Sequence, residues 1–166
     1  KTIFNLLGPH TNPCNAKRQI LGVYDKGLLK TFSSVSNLLK MHHVLVVHGN
    51  DGLDEISITD KTFVTELKDG NLNQFEIQPE DFGLSRANIT ALKAETPEES
   101  LELINAAFEG KESPVQDMIS LNAGASLYLS SASNSIKDGV SLAKELLNNG
   151  KAKQTFSSYI EMTNSL

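Results

Sequence analysis

Residues 44–55 read Val44-Leu45-Val46-Val47-His48-Gly49-Asn50-Asp51-Gly52-Leu53-Asp54-Glu55. Four consecutive branched aliphatic residues that stop at His-Gly have the length and composition of a buried strand. Residues 19–24 (QILGVY) form a second run of this kind. Between the two, residues 27–41 place Leu28, Leu29, Phe32, Val35, Leu38 and Leu39 close to helical spacing. A strand, a helix and a strand of these lengths make a βαβ unit, which requires parallel strands and a right-handed crossover. The expected fold class is therefore α/β, with a largely parallel sheet covered by helices.

Downstream the pattern changes. Residues 55–59, 62–67 and 73–77 are short and partly alternating, and Asp69-Gly70-Asn71 marks a turn between the last two. They predict a small antiparallel insertion. Beyond Pro79 the periodicity is helical. Thr96-Pro97-Glu98-Glu99 is a helix start, since Thr caps, Pro suits the first turn and Glu suits the positive end. That helix is expected to end near Gly110, and Ser113-Pro114 opens another toward Ser131. Residues 138–147 and 151–165 complete the set. At the other end, an apolar start breaks into Gly8-Pro9-His10-Thr11-Asn12-Pro13, which reads as loop. With no internal repeat or low-complexity stretch, residues 1–166 are read as a single α/β domain.

The composition excludes several classes. Of 166 residues, 39% are apolar and 21% charged, values of a soluble globular chain rather than a disordered or membrane-embedded one. The net charge is -5 and no stretch is dense in Lys or Arg, which argues against a nucleic-acid surface. A single cysteine, Cys14, allows no internal disulfide, and the first residues lack the apolar segment of a secretion signal. A cytoplasmic location is expected. The chain opens on Lys rather than Met, as a piece of a longer polypeptide would. There is no G-x-S-x-G, no P-loop and no zinc-type histidine pair.

The chemistry concentrates where the strand at 44–47 runs into its Gly-rich loop. Ligands of parallel sheets sit at the carboxyl ends of strands. Asp54 and Glu55 supply the hard oxygen donors that Mg²⁺ prefers, although an Asp-Glu pair in a loop is more often simply solvated. His48, at the strand end, is placed to line a cleft, while His42 and His43 read as surface residues between helix and strand. The loop at 8–13 is either a substrate wall or a structural turn. Asn122, in the apolar stretch 118–129, needs hydrogen-bond partners, expected from a nearby loop.

Taken together, TIFNLLGP and the following TNP (2–13), LGV (21–23), HGNDGLDEIS (48–57), PEDFGL (79–84) and LNAGASLYL (121–129) resemble the anthranilate phosphoribosyltransferase family. They run in family order along most of the chain. The resemblance implies the carboxy-terminal α/β portion of an enzyme with a nucleoside phosphorylase/phosphoribosyltransferase-like fold. It implies transfer of phosphoribosyl from phosphoribosyl pyrophosphate to the amine of anthranilate, in tryptophan synthesis, with Mg²⁺ as cofactor and a homodimeric parent enzyme. Asp54 and Glu55 match the carboxylate pair that holds the metal. Asn12 and Pro13 match a wall of the anthranilate channel, and Lys1 falls where the family usually has an arginine that meets the anthranilate carboxylate.

The sequence departs from the family in three respects. The glycine-rich GTGGD loop is absent from these residues, so the piece alone is expected to be inactive. Lys1 keeps the charge of the arginine but not its bidentate fork. His10 and Cys14 stand where apolar or small residues are usual, and Ala94-Glu95 replaces a glycine pair. Two other readings use the same fold. One is a pyrimidine nucleoside phosphorylase, disfavoured by the carboxylate pair. The other is an inactive nucleic-acid-binding relative, disfavoured by the acidic charge. A piece that serves only as a folding or interaction unit is the remaining alternative.

Overall fold

The computed structural model describes residues 8–165; Lys1, expected to contact substrate, lies outside the described residues. The chain forms two compact units, Lys1–Pro79 and Glu80–Leu166.

In the first unit, strand β1 (Arg18–Gly22) leads through helix α1 (Leu28–Leu38) to β2 (His43–Gly49). Strands β3 (Thr62–Lys68) and β4 (Asn71–Ile77) follow, and the sheet order is β1-β2-β3-β4. The βαβ unit is present as the apolar pattern predicted: β1 and β2 are parallel, with Ile20 opposite Leu45 and Gly22 opposite Val47. The expectation of a largely parallel sheet does not hold among the described residues. The pairings β2–β3 and β3–β4 are both antiparallel, and the sheet is mixed. The reason lies in the connection. A parallel partner needs a crossover that carries the chain back along the sheet. Residues 50–61 contain no helix, so β3 returns directly beside β2, with Gly49 opposite Thr62. The hairpin at 62–77 is thus no insertion beside the sheet but its second half. Residues 55–59, expected to be extended, form no strand and belong to the connecting loop.

The β3–β4 turn follows its chemistry. Asp69 and Gly70 both take positive φ, 49° and 83°. A two-residue hairpin loop with right-handed strand twist demands this, and Asp-Gly tolerates it best. β4 is mostly exposed and polar, as suits an edge strand.

Leu21 and Val23, Val44 and Val46, and Phe63 and Leu67 pack with Leu29 and Phe32 of α1 and with Met41 into one apolar cluster. Leu45 and Val47, which point the other way, are also fully buried. Burial on both faces is why β2 reads as an unbroken apolar run rather than an alternating one. His43 corrects another expectation. It opens β2 instead of ending the loop, is 2% exposed, and its Nε2 lies 2.7 Å from Oε1 of Glu66 on the neighbouring strand. His42 is exposed, as expected.

The second unit is helical: α2 (Pro97–Phe108), α3 (Pro114–Leu129), α4 (Ile136–Asn148) and α5 (Lys151–Asn164). The start signals act as read. Thr96 Oγ1 accepts from the Glu99 amide at 3.1 Å and Ser113 Oγ from Gln116 at 3.2 Å. The helix expected from residue 138 begins two residues earlier, capped by Ser135, whose Oγ accepts from the Asp138 amide at 3.1 Å. Helices α3 and α4 meet where Gly124 faces the backbone of Val140 and Gly139 faces the Gly124 carbonyl, with Leu121, Ala125 and Ala143 buried around them. Asn122 is half-buried, and its amide donates to the Met118 carbonyl one turn back at 3.1 Å.

Candidate active site

Because β1 and β2 are parallel, their carboxyl ends share one edge of the sheet. The Val23 amide extends the ladder past β1 by donating to Val47 O at 2.9 Å. His48 Nδ1 lies 2.8 Å from Val23 O. A carbonyl only accepts, so this nitrogen carries the proton, and in the neutral ring Nε2 keeps its lone pair. The ring stacks on Phe63 at 6.5 Å between centroids. Two ammonium groups also approach Phe63, Lys26 Nζ at 3.3 Å and Lys61 Nζ at 4.9 Å from its ring centre. Lys61 further pairs with Glu76 at 2.9 Å.

Beyond β2 the chain turns sharply. Gly49 N donates to Leu53 O at 2.8 Å, and Gly52 N to Gly49 O at 2.9 Å. Asp51 is the centre of this turn: its Oδ1 accepts from Leu53 N at 3.1 Å, and its Oδ2 accepts from the hydroxyls of Ser57 and Thr59. Partial burial acts to raise the Asp51 carboxyl. The hydrogen bonds from Ser57, Thr59 and Leu53 together outweigh it, and the group sits below its ordinary value. At the far end of the loop, Asn50 N donates to Lys61 O and Ser57 N to Thr62 Oγ1, both at 2.9 Å.

Between these anchors the loop presents Asp54 and Glu55 outward while Ile56 and Ile58 are fully buried. The Asp54 carbonyl rests directly on the α-carbon of Gly22, at the end of β1. Among the described residues neither carboxylate has an ion-pair or side-chain hydrogen-bond partner. Partial burial, and then the negative charge of Asp54 beside it, push the Glu55 carboxyl above its ordinary value. Two adjacent anions without a counter-charge thus stand at a strand-end edge.

The structure therefore brings Asp54 and Glu55 to the edge where His48 stands. Asn12 and Pro13 occupy a different loop, which precedes β1. Its first turn is a 3-10 turn, Gly8–His10. Asn12 Oδ1 accepts from the Cys14 amide at 2.9 Å, Gln19 Nε2 donates to Pro9 O at 3.1 Å, and His10 Nε2 lies 3.1 Å from Ser36 Oγ of α1. Asn12 lines a small cavity of about 80 Å³ with Pro9, His10, Gln19 and Met41, whose walls include neither Asp54 nor Glu55. Asn12, Pro13 and Cys14 are exposed. The roles of Gly22 and of the Asp51-Ser57-Thr59 network were not anticipated from the sequence. The only signal was an Asp inside the Gly-rich turn with two hydroxyl residues a few positions later.

Among the described residues no three His, Cys, Asp or Glu side chains form a metal-holding group, and no helix is long and apolar enough to cross a membrane.

The chain is 45% identical over 165 residues to anthranilate phosphoribosyltransferase of Methanobrevibacter smithii, covering 99% of this chain and 49% of that protein. The solved anthranilate phosphoribosyltransferase of Thermus thermophilus superposes with a TM-score of 0.88 at 36% identity, covering 97% of this chain and 47% of that one. The Saccharomyces cerevisiae enzyme, solved in complex with PRPP and Mg, superposes at 0.87 with 29% identity, covering 100% and 48%. The chain spans about half the length of the relatives it matches. Residues 1–153 match the family described as "Glycosyl transferase family, a/b domain". With that match running from before β1 to the first turn of α5, the chain belongs to this glycosyl transferase family.

Proposed function

We propose that the chain forms the α/β part of an anthranilate phosphoribosyltransferase, transferring phosphoribosyl from phosphoribosyl pyrophosphate to anthranilate with release of pyrophosphate. The observation that carries this reading is the Asp54–Glu55 pair: outward-facing, without a counter-charge, and seated on Gly22 at the carboxyl edge of the parallel strands. The 45% identity to an enzyme named for this activity, and a solved relative in complex with PRPP and Mg, support it.

The pair fits Mg²⁺. Its donors are hard oxygens, its charge is unneutralised, and Mg²⁺ is commonly held by one or two carboxylates together with water and substrate phosphates. Two protein ligands are therefore enough. In this reading Asp54 and Glu55 hold the cation, which when bound supplies positive charge to the departing pyrophosphate. Everything else the site does is positioning. The leaving group departs from C1 of the sugar, the aromatic amine adds there, and no covalent bond to the protein is needed. Asn12 and Pro13 contribute a wall of the anthranilate channel, and Lys1 meets the anthranilate carboxylate. Both compact units belong to one glycosyltransferase-type domain with a nucleoside phosphorylase/phosphoribosyltransferase-like fold, which the family match across both units supports. The working enzyme is a cytoplasmic homodimer.

The test is the loss of anthranilate fluorescence when the full-length polypeptide is given phosphoribosyl pyrophosphate and Mg²⁺. Loss that chelation abolishes is expected. A folded polypeptide that leaves the fluorescence unchanged would refute the reading.

A further inference from the structure

Residues 50–61 carry the carboxylate pair yet contain no regular secondary structure. A loop of this length orders only if its own side chains hold it, because the backbone entropy of each fixed residue is considerable. The holding is done largely at one point. Asp51 lies three residues before Asp54. Its Oδ1 fixes Leu53, the residue just before the pair, and its Oδ2 fixes Ser57 and Thr59, just after it. Ser57 passes the constraint on, since its Oγ accepts from the Thr59 amide at 2.9 Å and its own amide donates to Thr62 at the start of β3. The pair thus sits in an arc whose two ends are tied to one carboxylate. Two hydroxyl donors on Oδ2 and an amide on Oδ1 take up three acceptor positions of that carboxylate within the loop itself.

We infer that Asp51 is the positioning residue of the Asp54–Glu55 cation site, fixing the separation and direction of the two carboxylates by clamping Leu53 to Ser57 and Thr59. This rests on the metal-holding role proposed above. It assigns to this chain a requirement for Ser57 and Thr59 as much as for Asp51, because a clamp has two sides. Partners that orient metal ligands typically change metal affinity by about 10–100-fold when removed.

The test uses the full-length polypeptide and Mn²⁺ as a spin probe, counted by electron paramagnetic resonance, with amide hydrogen exchange over residues 52–58 as a second readout. Asp51→Ala is expected to weaken Mn²⁺ binding by about tenfold or more and to speed exchange across the loop. The double variant Ser57→Ala with Thr59→Val, which keeps the Asp51 carboxylate, is expected to do the same, whereas a direct ligand role for Asp51 predicts unchanged Mn²⁺ binding there. Mn²⁺ affinity within about twofold of the parent in both variants, despite faster exchange, would overturn the inference. Unchanged Mn²⁺ binding in Asp54→Asn with Glu55→Gln would overturn both the metal site and the clamp. Binding lost there but kept in the clamp variants would overturn the clamp alone. Should Asp51→Ala fail to fold, the double variant decides by itself.

Discussion

The α-carbon of Gly22, the last residue of β1, lies against the carbonyl of Asp54, so that any β-carbon at position 22 would collide with that backbone. The carboxylate loop is seated on the strand end through this contact. Gly22→Ala forces the loop away, and overpacking of this kind costs about 1–3 kcal/mol. The expected outcome is a lower urea midpoint together with a weaker response to Mg²⁺ in the full-length polypeptide. A variant with parental Mg²⁺ response would show that the seat does not matter.

Charge at the pair has a sign that can be checked. The Glu55 carboxyl is raised above its ordinary 4.5 by partial burial and by Asp54. The folded state then holds its proton more tightly than the unfolded state. Folding therefore bears a penalty that is fully present above the raised value and disappears as the pH falls below 4.5. Glu55→Gln removes the penalty. In metal-free buffer it is expected to raise the stability at neutral pH by no more than about 1 kcal/mol for so exposed a group, seen as a higher midpoint of thermal unfolding, and to leave it unchanged near pH 4. Added Mg²⁺ should stabilise the parent and not the variant. A parent that gains nothing from Mg²⁺ at neutral pH would contradict this.

Asp51 behaves in the opposite sense. Its carboxyl is held below the ordinary 3.8, so it contributes stability that is present above 3.8 and lost as the pH falls through the depressed value. Asp51→Asn is expected to flatten the acid end of the stability profile in urea titrations between neutral pH and about pH 2. Parallel profiles for parent and variant would count against the hydrogen-bond network as drawn.

Turnover should depend on the pair without the fold doing so. Asp54→Asn with Glu55→Gln is expected to lower the rate of anthranilate consumption by about a hundredfold or more, the scale on which a lost charge-stabilising group acts. Circular dichroism should match the parent. Parental turnover at limiting Mg²⁺ would rule out the assignment.

The helical unit has its own sensitive point. A β-carbon at Gly124 would strike the Val140 backbone, and one at Gly139 would strike the Gly124 carbonyl. Gly124→Ala spreads α3 from α4 and is expected to cost about 1–3 kcal/mol, visible as a lower thermal midpoint. Gly150→Ala, where nothing stands near the position, provides the contrast: its φ of 80° disfavours a side chain by backbone strain, not by collision.

Much of this was legible in the sequence because it is local. The run at 44–47 is a strand since nothing polar interrupts it. Thr96 and Ser113 cap helices since their hydroxyls reach amides three residues on. Asp69-Gly70 turns since those residues tolerate positive φ. The family resemblance drew on the same kind of short signature, and the match over residues 1–153 agrees with it.

The rest depended on which distant residues meet. The sheet is mixed rather than largely parallel because a loop without a helix brings β3 back beside β2, a consequence of path that no window of residues contains. His43 looked like a surface residue and is buried against Glu66, 23 positions away. Asp54 and Glu55 could be named as candidate metal ligands from their type and their neighbours. That they stand without a counter-charge, rest on Gly22 and are clamped by Asp51 with Ser57 and Thr59 was decided only by the tertiary structure. Propensity and capping act over a few residues and are written in order along the chain. Close approach and charge compensation act across space, and exist only once the chain has folded.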